Sequence, residues 1–217
     1  VEWGLLEVLG EEERRGVIAS ARRRRFSRRE VLFHAGDPGD TVHFIASGWV
    51  AVYVTTPIGN TATFAILGPG EAVGEMALLS PAERAATAIA LEPTETLSLR
   101  RDQFDELRTR HPGIDRLLVT ILADRVRRLN AELVDAYFTR AEVRVLRRLL
   151  RVARAMPERE GRRVVRLTQE DLAGLAGTSR ATVNRTLREL EAEGALEQSR
   201  GRIAVLDLEL LAARARP

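Results

Sequence analysis

Gly74-Glu75-Met76-Ala77-Leu78-Leu79, followed by Arg84-Ala85-Ala86-Thr87, is the stretch on which the reading of this chain turns. It sets a glycine, a carboxylate and a guanidinium close together, with small side chains beside them. Glycine lets backbone approach a bound group closely, and amides at the start of a short helix can point at an anion. A carboxylate accepts hydrogen bonds from hydroxyls, and arginine makes charge-assisted contacts to phosphate. Taken alone, Gly-Glu with a later arginine reads equally well as a turn with a surface ion pair. The flanking sequence narrows the choice.

From about Phe26 to Leu99, short apolar alternations are separated by turn residues. Val42, Phe44 and Ile45 precede Gly48, and Val50, Val52 and Val54 follow at period two into Pro57-Ile58-Gly59-Asn60. Phe64, Ile66 and Leu67 then run into Gly68-Pro69-Gly70. Short strands at this spacing predict an all-β sandwich or barrel. Ahead of them, residues 4–22 read as an amphipathic helix with Leu5, Leu6, Leu9 and Val17 apolar. After His111-Pro112-Gly113, Leu118, Leu122, Val126, Leu129, Leu133 and Ala136 recur at spacings of four and three. That seam predicts a long helix to about Tyr137, suited to a coiled coil and also found on single amphipathic helices.

The remainder reads as a small winged helix-turn-helix. A helix is expected over 141–155, ended by Pro157, then a strand over 164–167. Thr168-Gln169-Glu170-Asp171 fits a capping box. Gly177-Thr178 makes the tight turn, and Ser179 caps a second helix to about Glu191. Ala195-Leu196-Glu197 and Ile203-Ala204-Val205 bracket Ser199-Arg200-Gly201, a hairpin of the kind that forms a wing.

Composition bounds the function. A chain of 217 residues accommodates two domains, and 45% hydrophobic with 30% charged residues is ordinary for a soluble globular protein. No run approaches the ~18 apolar residues of a membrane span, and no leader is evident, so a cytoplasmic protein with no membrane partner is expected. Val1 suggests a GTG start or a true N-terminus that lies earlier. There is no cysteine, so disulfides, zinc ribbons and iron–sulfur clusters are excluded. His34, His43 and His111 are scattered without metal-ligand spacing, and no haem ligand stands out. All 34 basic residues are arginines, and net charge is +3. The run Arg22–Arg25, with Arg28 and Arg29, reads as a solvated face rather than a nucleic-acid patch.

The 74–87 stretch resembles the phosphate-binding cassette of cyclic-nucleotide-binding domains, Gly-Glu-(Leu/Met) and then Arg-(Ala/Ser/Thr)-Ala. Leu32–Asp40 and Gly48-Trp49-Val50 resemble early strands and turns of the same jelly roll. Ser179-Arg180-Ala181-Thr182-Val183-Asn184-Arg185 resembles the recognition helix Ser-Arg-Glu-Thr-Val-x-Arg. Nearly the whole chain thus resembles the cAMP receptor protein/fumarate–nitrate regulator (CRP/FNR) superfamily of bacterial transcription regulators.

That resemblance implies an α+β fold. Its parts would be a cyclic-nucleotide-binding β jelly roll over 1–112, a long dimerisation helix over 113–138, and a hinge with winged helix-turn-helix over 139–217. It implies double-stranded DNA, a second copy of the chain and RNA polymerase as partners. It also implies cAMP as allosteric ligand, with no metal, haem or cluster.

In the sensor, Glu75 would accept the ribose 2′-OH and Arg84 would hold the phosphate, with Gly74, Met76, Ala77 and Ala86 shaping the cassette. Ala85 is of the cAMP type, since eukaryotic members preferring cGMP carry threonine there. Leu129 and Asn130 fall where two polar residues reach the adenine in well-known bacterial receptors; Asn130 keeps that capacity, whereas Leu129 lies on the apolar seam. In the reader, Thr168, Gln169, Ser179, Arg180, Ala181, Thr182, Asn184, Arg185, Arg188 and Arg200 are the candidate DNA contacts. Ala181 departs from the family glutamate, which reads a cytosine, so the usual TGTGA half-site should be relaxed or altered there. Two other readings stay open: a ligand-independent regulator with a vestigial pocket, and a sensor of another small molecule. A cupin-like enzyme is a remote third, disfavoured by the lack of any His-x-His pair.

Overall fold

The computed structural model describes residues 9–55, 61–76 and 82–216. Leu5, Leu6, the 57–60 turn and Ala77 with Leu78 and Leu79 lie outside them. Helix α1 is Glu11–Ser20, shorter than the 4–22 expectation within the described part. Three glutamates, Glu11 to Glu13, sit at its N-terminus, where negative charge is favoured. Glu13 Oε2 accepts the Gly10 N–H at 3.2 Å. At Ala21 the backbone becomes extended and the helix stops.

The arginine run then forms strand β1 (Arg22–Phe26). It is an edge strand, and charge on an edge discourages pairing with another chain. Alternation sends its residues two ways. Arg23 and Arg25 both pair with Glu95, at 2.5 and 3.1 Å, while Arg24 lies over the Phe26 ring. Strands β2 (Val31–Phe33), β3 (Thr41–Ser47), β4 (Val50–Thr55), β5 (Thr61–Leu67), β6 (Ala72–Val73), β7 (Thr87–Ala90) and β8 (Thr94–Arg100) complete two four-stranded sheets. Their orders are β1-β8-β3-β6 and β2-β7-β4-β5. β8 pairs antiparallel with β1 and β3, and β7 pairs antiparallel with β2 and β4. These are the short antiparallel strands expected from the alternating pattern.

Helices α2 (Arg101–Arg110) and α3 (Gly113–Phe138) follow. Val42, Phe44, Leu97 and Leu99 of the first sheet pack with Val17, Phe104, Ile114 and Leu118 in one buried cluster. Each such side chain contributes about 1.5–3 kcal/mol on burial. The apolar seam of α3 divides in two: Leu118 belongs to that core, whereas Val126, Leu129 and Leu133 are 56%, 43% and 55% exposed.

The described residues group into two compact units. One holds those up to Val54 with Ile66–Arg128, and the other holds those of Thr55–Ala65 with the chain from Leu129 onward. The second contains α4 (Ala141–Ala155), β9 (Glu158–Arg159), β10 (Arg162–Val165), α5 (Gln169–Ala176), α6 (Arg180–Ala192), β11 (Leu196–Ser199), β12 (Arg202–Val205) and α7 (Leu208–Arg214). Its sheet order is β11-β12-β10-β9. The strand expected at 164–167 lies instead at 162–165, because Glu160 and Gly161 both have positive φ. That two-residue turn pairs β10 back onto β9.

Candidate ligand and DNA sites

Gly74 follows β6 with φ +86°. A Cβ at this position would come within 2.5 Å of Arg84 Nη1 and 3.2 Å of the Thr41 carbonyl oxygen. Glycine is therefore required twice over, by backbone conformation and by the guanidinium beside it. Arg84 is 5% exposed. Its Nη2 donates to the Thr41 carbonyl at 2.6 Å and to Thr41 Oγ1 at 2.9 Å, and its Nη1 donates to the Gly74 carbonyl at 3.1 Å. The guanidinium carbon lies 4.2 Å from the centre of the Phe33 ring, a cation–π contact. Its Nε is buried without a hydrogen-bond partner, and burial pulls its pKa down from the usual arginine value. Carbonyl dipoles and an aromatic face hold this cation; among the described residues, no carboxylate forms an ion pair with it.

Glu75 is also buried, at 7%. Its Oε1 accepts from Arg125 Nη1 on α3, a partner the sequence did not reveal. The structure thus brings Gly74, Glu75 and Arg84 together and adds Arg125. Met76 is 53% exposed, Ala85 is exposed and Ala86 is half-buried. Ala77 lies outside the described residues. Leu129 and Asn130 are exposed on the part of α3 that belongs to the second unit.

Behind Arg84, His43 is 4% exposed, shares a hydrogen bond with Thr96 Oγ1 at 3.1 Å and is flanked by the rings of Phe26 and Phe33. Burial first, then the positive charges of Arg84 and Arg24, lower its pKa to about 4. Among the described residues, no group of three or more His, Cys, Asp and Glu could hold a metal ion. Nor is any helix long and apolar enough to cross a membrane.

In the second unit, the capping box forms as expected. Asp171 N–H donates to Thr168 Oγ1 at 3.1 Å, and Thr168 N–H donates to Asp171 Oδ2 at 2.8 Å. The Thr168 hydroxyl also donates to Asp171 Oδ2, so the cap occupies it. Gln169 Nε2 donates to Gln198 Oε1 of β11, tying the first helix of the motif to the wing hairpin. Gly177 adopts the left-handed conformation at the end of α5, and Arg144 of α4 donates to the carbonyls of Ala176 and Gly177, each at 2.9 Å. A cation at a helix C-terminus fixes the turn.

Ser179 Oγ accepts the Thr182 N–H at 3.2 Å, starting α6. Val183, Leu187 and Leu190 are buried, as their spacing predicts. Ala181, Asn184, Arg185 and Arg188 line a shallow open concavity of about 540 Å³ with Glu189 and Ala192. Arg180 and Arg200 are exposed. Arg185 is not free: its Nη2 donates to Glu142 Oε1 of α4 at 2.5 Å.

The cyclic nucleotide-binding domain profile matches residues 23–111, and the Crp-like helix-turn-helix profile matches 143–214. The cyclic AMP receptor protein of Thermus thermophilus is 36% identical over 208 residues, covering 95% of this chain and 94% of that one. The chain belongs to the CRP/FNR superfamily. Within the superfamily it is also similar to the CRP-like cAMP-activated global transcriptional regulator of Mycobacterium tuberculosis, 34% identical over 194 residues, with 88% and 87% coverage. Among solved structures, FixK2 of Bradyrhizobium japonicum superposes with a TM-score of 0.80 at 20% identity, covering 91% of this chain and 98% of its own. The catabolite activator protein of Thermus thermophilus gives 0.57 at 36% identity, covering 98% of both chains. This CRP/FNR member is a transcription regulator with a cyclic-nucleotide-binding-type domain and a helix-turn-helix domain.

Proposed function

We propose that this regulator binds a palindromic operator as a homodimer and that cAMP controls its affinity for DNA. One observation carries the ligand assignment: Arg84 is a buried cation with an unpartnered Nε and, among the described residues, no carboxylate in an ion pair with it, next to the buried Glu75. A buried charge outside any ion pair is costly even when it is hydrogen-bonded, and a cyclic phosphate would offset it while the ribose hydroxyl addresses Glu75. Ala85 favours cAMP over cGMP. Val126, Leu133, Val134, Tyr137 and Phe138 on α3 are all more than half exposed, which supports a second copy as their cover. In this reading residues 1–112 sense, 113–138 dimerise and 139–217 read DNA. The two readers then meet half-sites about one helical turn (~34 Å) apart, and RNA polymerase is the further partner. Control requires that cAMP bind two arrangements of the dimer with different affinity.

The pairing of Glu75 with Arg125 favours a second reading, in which the pocket satisfies itself and DNA binding needs no ligand. Fluorescence anisotropy of a labelled palindrome, titrated at fixed salt without nucleotide, with cAMP and with cGMP, separates the two. Tightening by cAMP alone supports the first reading. Three coincident curves refute nucleotide control and leave the DNA reader standing.

A further inference from the structure

In the proposed DNA reader, the side chains on the exposed face of α6 are not equally available. Arg185 is drawn toward the start of α4 by its 2.5 Å hydrogen bond to Glu142. The pair is well exposed, 62% for the arginine and 39% for the glutamate, so it adds little to stability. Its consequence is orientation. Glu142 sits in the first turn of α4, where the helix end favours an anion, and its pKa is lowered by its own backbone N–H and by Arg185. The carboxylate is therefore charged where Arg185 meets it. One turn N-terminal to Arg185, Ala181 ends at its Cβ and offers a base no hydrogen bond. Asn184 is half-buried beside both, lines the same concavity, and has no side-chain hydrogen bond among the described residues.

We infer that Asn184 is the specificity-determining residue that substitutes for the missing carboxylate at Ala181, and that it reads an adenine. A carboxamide carries one acceptor and two donors, the set that pairs bidentately with adenine N7 and N6 in the major groove. Arg185, steered by Glu142, contacts the phosphate backbone and sets position. The inference rests on the assignment of α6 as the DNA-reading helix. It differs from the family resemblance, in which a glutamate at the 181 position reads a cytosine and the second arginine of the helix reads a base: specificity moves from position 181 to 184, and Arg185 is a positioning residue.

The test is selection of a randomised duplex library by the full-length protein, with and without cAMP, for the wild type and for N184A, R185A and R180A. The wild type is expected to enrich a symmetric site. N184A is expected to lose an adenine preference of about 5- to 150-fold at one position of each half-site, the discrimination of one bidentate pair. R185A is expected to enrich the wild-type sequence with weaker binding throughout and a salt slope smaller by about one. Circular dichroism verifies folding of these surface variants. Identical sites for N184A and wild type overturn the inference, and so does a base preference lost in R185A. Failure of the underlying reading looks different: the wild type enriches no symmetric site, or R180A leaves selection unchanged.

Discussion

Replacing Gly74 with alanine perturbs the proposed ligand site through geometry alone, and Gly36 supplies the control. The two glycines share nearly the same φ, +86° and +87°, but a Cβ on Gly36 meets nothing within 4 Å. Both alanines incur the left-handed backbone penalty of about 1–2 kcal/mol. Only G74A also collides with Arg84 Nη1, and a hydrogen bond to a charged group contributes about 1.5–3 kcal/mol. Losing one such bond leaves G74A about 2.5–5 kcal/mol less stable than wild type, against about 1–2 for G36A. At about 2–4 °C per kcal/mol for a chain of this length, Tm should fall by ~5–20 °C in G74A and ~2–8 °C in G36A. Thermal melts with and without cAMP provide the assay. At one hundred times Kd, ligand adds about 2.7 kcal/mol, so wild type and G36A should shift upward together while G74A stays put. Equal Tm losses in the two variants, or a cAMP shift retained by G74A, would refute the reasoning.

Arg125→Ala should destabilise the protein by about 1–3 kcal/mol, because it strands the buried Glu75 carboxylate while the arginine itself is partly solvated; urea denaturation at pH 7 measures it, and Arg127→Ala, an exposed pair, should be near neutral. His43 has a folded pKa of about 4, below its unfolded 6.5. Its contribution is fully present above pH 6.5 and declines as pH falls toward 4, by up to about 3 kcal/mol. Stability measured from pH 7 to 4 should therefore show a steeper acid limb in wild type than in His43→Leu, and parallel limbs would exclude His43 as the source. Arg200→Ala at the tip of the wing should weaken binding to all duplexes alike and reduce the slope of log K against log salt by about 0.9; a change in preferred sequence would contradict a backbone role.

What could be read in the sequence was local. The Thr168–Asp171 cap, the turn at Gly177 and the Ser179 cap each involve residues within a few positions of one another, so spacing alone announces them. Period two drew attention to β3 and β4, yet both are buried on both faces, over Val42–Ile45 and Val50–Tyr53, because small or polar residues such as His43 and Ala51 are enclosed as well. β9 escaped notice because Glu158 and Arg159 are both exposed and carry no alternation. Partners distant in the chain were hidden for a different reason. Glu75 and Arg125 are 50 positions apart, and Glu142 and Arg185 are 43 apart. In a chain whose cations are all arginine, nothing singles out which guanidinium a buried carboxylate will select. One signal was available for the first pair: Arg125 lies seven positions, about two helical turns, after Leu118, which packs against the first sheet. The exposure of that seam beyond Leu118 was not legible either, since heptad spacing looks the same whether the cover is the chain's own sheet or another molecule.

That position 84 carries arginine rather than lysine has its own consequence. A lysine enclosed among Phe33, Thr41 and Gly74 could shed its proton and rest as a neutral amine. A guanidinium has no such escape at any pH the protein meets. Acidity therefore cannot neutralise Arg84 itself, and in the proposed role its charge toward a phosphate would persist at every such pH.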